Sequence, residues 1–253
     1  MNQQEVLKII RKAIKNKDTE LDLSDNNLTI IPSEIGELNN LEILYLSYNN
    51  LITIPSEIGR LKSLKALYLG YNKLITIPKE IAELKNLKGL FLNNNNLTTI
   101  PSEIKELKNL EIIYLGYNKL ISIPKEIIEL KNLRVLFLNH NNLTTIPSEI
   151  EELKNLEILY INNNNLTDIP KEIRELKNLD CNNFTTFPLG ISNLSSLQNN
   201  LTSVPKKTVN LEKLHNLFVP LFIIIFILSL LGLKIYNNYA NKKSCELKNQ
   251  NNK

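Results

Sequence analysis

Residues 64–86 read LKALYLGYNKLITIPKEIAELKN, and the order of side chains in that stretch decides the fold. Leu67 and Leu69 flank Tyr68, the period of two that marks an extended strand with one buried face. Asn72 stands where the chain leaves the strand. Pro78 suits the start of a helical segment, because its missing N–H costs nothing there. Ile81 and Leu84 are three apart and share one face of that segment. The same pattern returns along the chain, because Pro32, Pro55, Pro78, Pro101, Pro124, Pro147 and Pro170 are each 23 residues apart. Full units begin at Leu41, Leu64, Leu87, Leu110, Leu133 and Leu156, after a partial unit from about Asp18 to Asn40. The asparagine recurs as Asn26, Asn49, Asn95, Asn118, Asn141 and Asn164. An amide at that corner is expected to satisfy the backbone of adjacent turns and to build a ladder. No such unit can bury its own apolar face, so stability must come from stacking on neighbours.

The unit, written L-x-x-L-x-L-x-x-N-x-L-x-x-I-P-x-E-I-x-x-L-x-x, resembles the leucine-rich-repeat family over about residues 18–210. Within that family it is similar to the 23-residue class with an I-P-x-E-I-x-x-L convex segment. The resemblance implies an α/β fold: a curved, horseshoe-like solenoid with a parallel sheet on its concave side. A longer period overlies the first. Residues 64–109 and 110–155 are two copies of a 46-residue block, in which LYLGYNKLITIPKE returns as IYLGYNKLISIPKE. Such duplication enlarges a surface rather than refining a unique pocket.

The ends differ from the middle. In residues 1–17, Val6, Leu7, Ile10, Ala13 and Ile14 recur at helical spacing, as a helix capping the first coil requires. Regular repeats are expected over 18–178. Beyond them Pro188 follows Pro170 by 18 residues and Pro205 follows Pro188 by 17, so 179–212 reads as truncated, irregular repeats. Leu217 to Leu233, LFVPLFIIIFILSLLGL, carries no charge over 17 residues. As a helix it reaches roughly 26 Å, and continuing to Tyr236 past a snorkelling Lys234 matches a ~30 Å hydrocarbon core. Its 14 Leu, Ile, Phe and Val residues favour insertion by about 4–8 kcal/mol. One C-terminal transmembrane helix over 213–236 is therefore expected, followed by a basic polar tail, 237–253. No secretory signal is apparent at the N-terminus, and Cys181 and Cys245 form no cluster that would seal the repeats with disulfides, so the repeats are expected in the cytosol. The alternative is an exported adhesin or receptor with the repeats outside, which the lysine-rich tail favours by the positive-inside rule.

Catalytic chemistry finds no footing in the sequence. His140 and His215 are the two histidines, and neither has a metal-ligand partner at suitable spacing. There is no Gly-rich phosphate loop, no nucleophile with its base, and no implied cofactor. The net charge of +4 resides in the tail after Leu233, so no basic stripe for nucleic acid crosses the repeats. The outward strand positions are different in kind. Tyr45, Tyr68, Phe91, Tyr114, Phe137 and Tyr160 fall one per repeat, beside Ile43, Ala66, Gly89, Ile112, Val135 and Ile158. Tyr48, Tyr71, Tyr117 and His140 form a second series just past the strands. A solvent-facing strip this apolar is expected to grip a partner protein.

Overall fold

The computed structural model describes residues 1–167 together with Pro170 and Ile173. These lie in the first of two units, Met1–Asn193 and Leu194–Lys253. The expected truncated repeats, membrane span and polar tail fall outside the described residues.

Seven three-residue strands, β1 (Glu20–Asp22), β2 (Ile43–Tyr45), β3 (Ala66–Tyr68), β4 (Gly89–Phe91), β5 (Ile112–Tyr114), β6 (Val135–Phe137) and β7 (Ile158–Tyr160), form one parallel sheet in sequence order. The register is constant at one repeat, so Leu21, Leu44, Leu67, Leu90, Ile113, Leu136 and Leu159 align and point inward. Across the coil from each of β1 to β6 lies a five-residue 3-10 helix, as at Lys79–Glu83 and Ser102–Glu106. The proline precedes that helix rather than entering it: Pro78 is extended at φ −66, ψ 146, and its carbonyl accepts from Ile81 N–H at 3.1 Å. A proline held there fixes the corner and delivers the Ile and Leu of the helix to the core. Leu44, Leu46, Leu51, Ile58, Leu61 and Leu64 are fully buried in one coil, and each coil repeats the set. The core is a continuous column between the sheet and the 3-10 helices.

Two asparagine ladders close the corners. On the strand side Asn95 donates from Nδ2 to the carbonyls of Leu69 at 2.9 Å and Leu92 at 3.0 Å, while its Oδ1 accepts from Leu74 N–H at 3.0 Å. Asn49, Asn72, Asn118 and Asn141 do the same and are all buried. At the opposite corner Asn86, Asn109, Asn132 and Asn155 each donate to a lysine carbonyl of the preceding coil at 2.8 Å, but these are exposed.

The first coil is covered by α1 (Gln3–Asn16). Asn2 and Glu5 form a reciprocal capping box at its start. Lys17, at φ 56, ends it, with Asp18 N–H reaching back to Ala13 O and Lys17 N–H to Ile14 O, the bond pair of a Schellman stop. Val6, Ile10 and Ala13 are its buried residues, and it packs on the first 3-10 helix, Ser33–Glu37.

Replacing Asn95 with Leu strands the buried Leu74 N–H, at about 1–3 kcal/mol, while the Leu69 and Leu92 carbonyls keep their bonds from Asn72 and Asn118. The expected loss in urea unfolding is therefore about 1–3 kcal/mol. Asn109→Ala, at the exposed ladder, should cost less than about 1 kcal/mol, because water replaces the lost bond. Equal losses at the two sites would contradict the burial assigned to the strand-side ladder.

Candidate functional site

All six aromatic residues of the first series occupy the third position of β2 to β7, and the constant register sets them side by side. Tyr45, Tyr68 and Phe91 stack nearly parallel, with centroids 4.8 and 4.4 Å apart. The packing turns edge-on from Phe91 to Tyr114 and from Tyr114 to Phe137, then parallel again from Phe137 to Tyr160 at 4.5 Å. The row is continuous, but it is not the uniformly solvent-facing strip expected from the sequence. Tyr68 and Phe91 are buried, at 2% and 4% exposure, while Tyr45, Tyr114, Phe137 and Tyr160 are half-buried.

The difference follows from the residue two places earlier on each strand. Tyr68 and Phe91 are preceded by Ala66 and Gly89; the four half-buried rings are preceded by Ile or Val. Phe91 folds down over Gly89, where a Cβ would meet its Cε2 at 2.8 Å. Small residues let a ring lie along the sheet, and β-branched ones hold it away. Tyr68 Oη ends buried without a hydrogen-bond partner. Burial raises the pKa of the Tyr68 and Tyr114 hydroxyls well above the ordinary value of 10.0. Burial also raises that of Tyr45, with smaller contributions from the Glu20 and Asp22 charges.

The second series lies on the loops that leave the strands. Tyr48 stacks on Tyr71 at 4.4 Å and Tyr117 on His140 at 4.1 Å, with Asn94 between the two pairs in sequence. Asn163 Nδ2 lies 2.7 Å from His140 Nε2. Every member of the series has left-handed backbone: Asp25, Tyr48, Tyr71, Asn94, Tyr117, His140 and Asn163 have φ between 54 and 59. Asp and Asn tolerate that region, whereas a bulky side chain there costs about 1–2 kcal/mol. Nothing in the residue spacing around Tyr71 signals this conformation; the clue is the Asp and Asn at equivalent positions, Asp25, Asn94 and Asn163.

Ion pairs link adjacent coils elsewhere. On the helical side Lys62, Lys85, Lys108 and Lys131 meet Glu83, Glu106, Glu129 and Glu152 of the next coil at 2.7–3.2 Å. The hydrogen bond from Lys62 holds the Glu83 carboxyl below the usual range, and Lys108 does so for Glu129. Ahead of the strands, Glu42–Lys65, Lys88–Glu111 and a bidentate Arg134–Glu157 pair recur every 46 residues. The last two pairs line a shallow groove of about 360 Å³ with Asn109, Asn132 and Asn155. Among the described residues no group of three or more His, Cys, Asp or Glu side chains is placed to hold a metal ion.

Comparison with known proteins gives one consistent likeness. Sequence patterns described as "Leucine rich repeat" match residues 19–74 and 62–120, and those described as "Leucine-rich repeat region" match 123–219. No curated protein matches. Among solved structures, the chain is similar to an LRR protein of Leptospira interrogans, with 44% identity over 67% of this chain and 43% of that one, at a TM-score of 0.65. It is also similar to the plant peptide hormone receptor RGFR1 in complex with RGF2, at 38% identity over 64% of this chain and 31% of that one, with a TM-score of 0.53. A third is the LRR ectodomain of the membrane receptor kinase GASSHO1/SCHENGEN3 of Arabidopsis thaliana, in complex with CASPARIAN STRIP INTEGRITY FACTOR 2. It shares 33% identity over 63% of this chain and 23% of that one, with a TM-score of 0.54. The chain thus spans less than half the length of each.

Two outcomes follow for the ring row. Tyr68→Phe removes an unsatisfied buried hydroxyl and keeps the stack, so thermal unfolding should show unchanged or slightly raised stability, by about 1 kcal/mol. A clear loss would mean that the hydroxyl has a partner. The raised tyrosine pKa values also fix an alkaline limit. The unfolded chain ionises near 10.0 while the folded rings resist, so stability is complete below that pH and falls as pH rises above it. Tyrosinate absorbance should appear together with unfolding, and Tyr68→Phe with Tyr114→Phe should shift that loss to higher pH.

Proposed function

Because the chain belongs to the leucine-rich-repeat family, we propose that its sheet face binds a segment of another protein and that Leu217 to Tyr236 tethers it to a membrane. The observation that carries the binding half is the ring row: six aromatic side chains in register, continuous from β2 to β7, with one buried hydroxyl left unpartnered at Tyr68. Half-buried rings with polar tips give a partner large contact area at little cost in side-chain entropy. Plant receptors of similar repeat structure occur in complexes with RGF2 and CASPARIAN STRIP INTEGRITY FACTOR 2, which supports a polypeptide partner here. The tether rests on the sequence of residues 217–236, uncharged but for Lys234. Among the described residues no helix is long and apolar enough to cross a membrane.

We place the repeats in the cytosol, as an adaptor held at a membrane. The second reading has them outside, as a receptor-like or adhesive surface, and the likeness to a receptor ectodomain favours it. Protease added to intact cells separates the two, since only exported repeats are digested.

The binding reading is tested with Tyr114→Ala plus Tyr160→Ala, two half-buried rings whose loss spares the buried pair. Photocrosslinking in native membranes should show the protein adduct reduced at least about tenfold, the fall that a loss of about 1.4 kcal/mol produces. Lys105→Ala, on the helical side, should leave it intact. An adduct unaffected by the double substitution rejects the sheet face as the binding surface.

A further inference from the structure

Among the described residues, the large exposed hydrophobic side chains are not on the sheet. Among the described residues, apart from Met1, every large hydrophobic side chain that is exposed lies on the loop edge following the strands: Ile30, Tyr48, Ile52, Ile75, Tyr117 and Ile121, each 50–61% exposed. Aromatic and aliphatic residues switch together along that edge. Tyr48, Tyr71 and Tyr117 are each followed four residues later by Ile52, Ile75 and Ile121; Asn94, His140 and Asn163 are followed by Thr98, Thr144 and Thr167. The tyrosines are also the members of the left-handed series least suited to that backbone, so something other than the turn accounts for them.

Over the three tyrosine loops the charge has one sign, although Asp25 holds the equivalent place in the first coil. Lys73 and Lys119 are exposed beside Tyr71 and Tyr117, and the three loops 47–53, 70–76 and 116–122 contain no acidic residue. On the helical side, by contrast, Lys62, Lys85, Lys108 and Lys131 are each matched by a glutamate. Tyrosine and isoleucine with lysine on one strip is the chemistry that settles into the boundary between headgroups and acyl chains, the lysines meeting anionic phosphates.

We propose that this loop edge lies on the surface of an anionic bilayer, so that the repeats recline on the membrane. The inference rests on the proposed tether, Leu217 to Tyr236, which would bring this chain to a lipid surface. It is independent of which partner the sheet face takes.

The test uses the full chain in vesicles of phosphatidylcholine, with or without phosphatidylserine. Cys181→Ser and Cys245→Ser clear the background, and Ile75→Cys carries an environment-sensitive fluorophore. The expected result is blue-shifted emission, quenched severalfold by brominated acyl chains and more strongly with phosphatidylserine. Lys73→Gln with Lys119→Gln should remove the dependence on phosphatidylserine. A probe at Ser102→Cys, on the helical side, should stay unquenched. Vesicle flotation without quenching at residue 75 overturns the edge and leaves the tether standing. Failure to float overturns both. A blue shift that brominated lipid does not quench also overturns the proposal, and assigns the edge to contact with protein.

Discussion

Each buried asparagine amide holds two coils at once, and the rest of the structure depends on that sharing. Asn95 bonds the carbonyls of Leu69 and Leu92 and the N–H of Leu74, so its own loop and the one before it are closed by the same side chain. A three-residue strand with a five-residue 3-10 helix has too little internal bonding to persist alone. Linked through amide, strand register and leucine column, the coils become one body. Everything that the surface presents, from ring row to loop edge, inherits its spacing from this constraint.

The strand positions, the inward leucines and the strand-side ladder were legible because they follow from residue type at fixed intervals. The lean of the rings was not, because it depends on a volume two residues away: Ala66 and Gly89 let Tyr68 and Phe91 lie flat, and no periodic reading weighs that. The second ladder was missed for another reason. Asn86 and its equivalents sit beside Lys and Glu in ELKN, and read as solvent-facing polarity until the backbone shows a carbonyl of the previous coil within reach. The glutamates of the same segment are exposed, and Glu83, Glu106, Glu129 and Glu152 each meet a lysine of the coil before. The left-handed tyrosines were hidden because tyrosine is a poor marker of the conformation it adopts here.

Two surfaces with different origins thus share one scaffold. The sheet face combines rings with aliphatic side chains in register, and its polar content reduces largely to hydroxyls. The loop edge draws its character from residues that the turn does not favour. Their separation around the coil means that substitutions on one need not disturb the other, since sites that share no partners contribute nearly additively.

The recurrence of ion pairs at 46 residues has a genetic consequence. Glu42–Lys65, Lys88–Glu111 and Arg134–Glu157 divide the coils into couples. Excising 87–132 would bring Lys65 beside Arg134, much as it now stands beside Lys88, and leave the outer couples whole. Excising 64–109, the block most plainly copied in the text of the sequence, would set Glu42 against Glu111. A two-strand excision would shorten the array by about 10 Å, and one phase would preserve the electrostatic pairing that the other destroys.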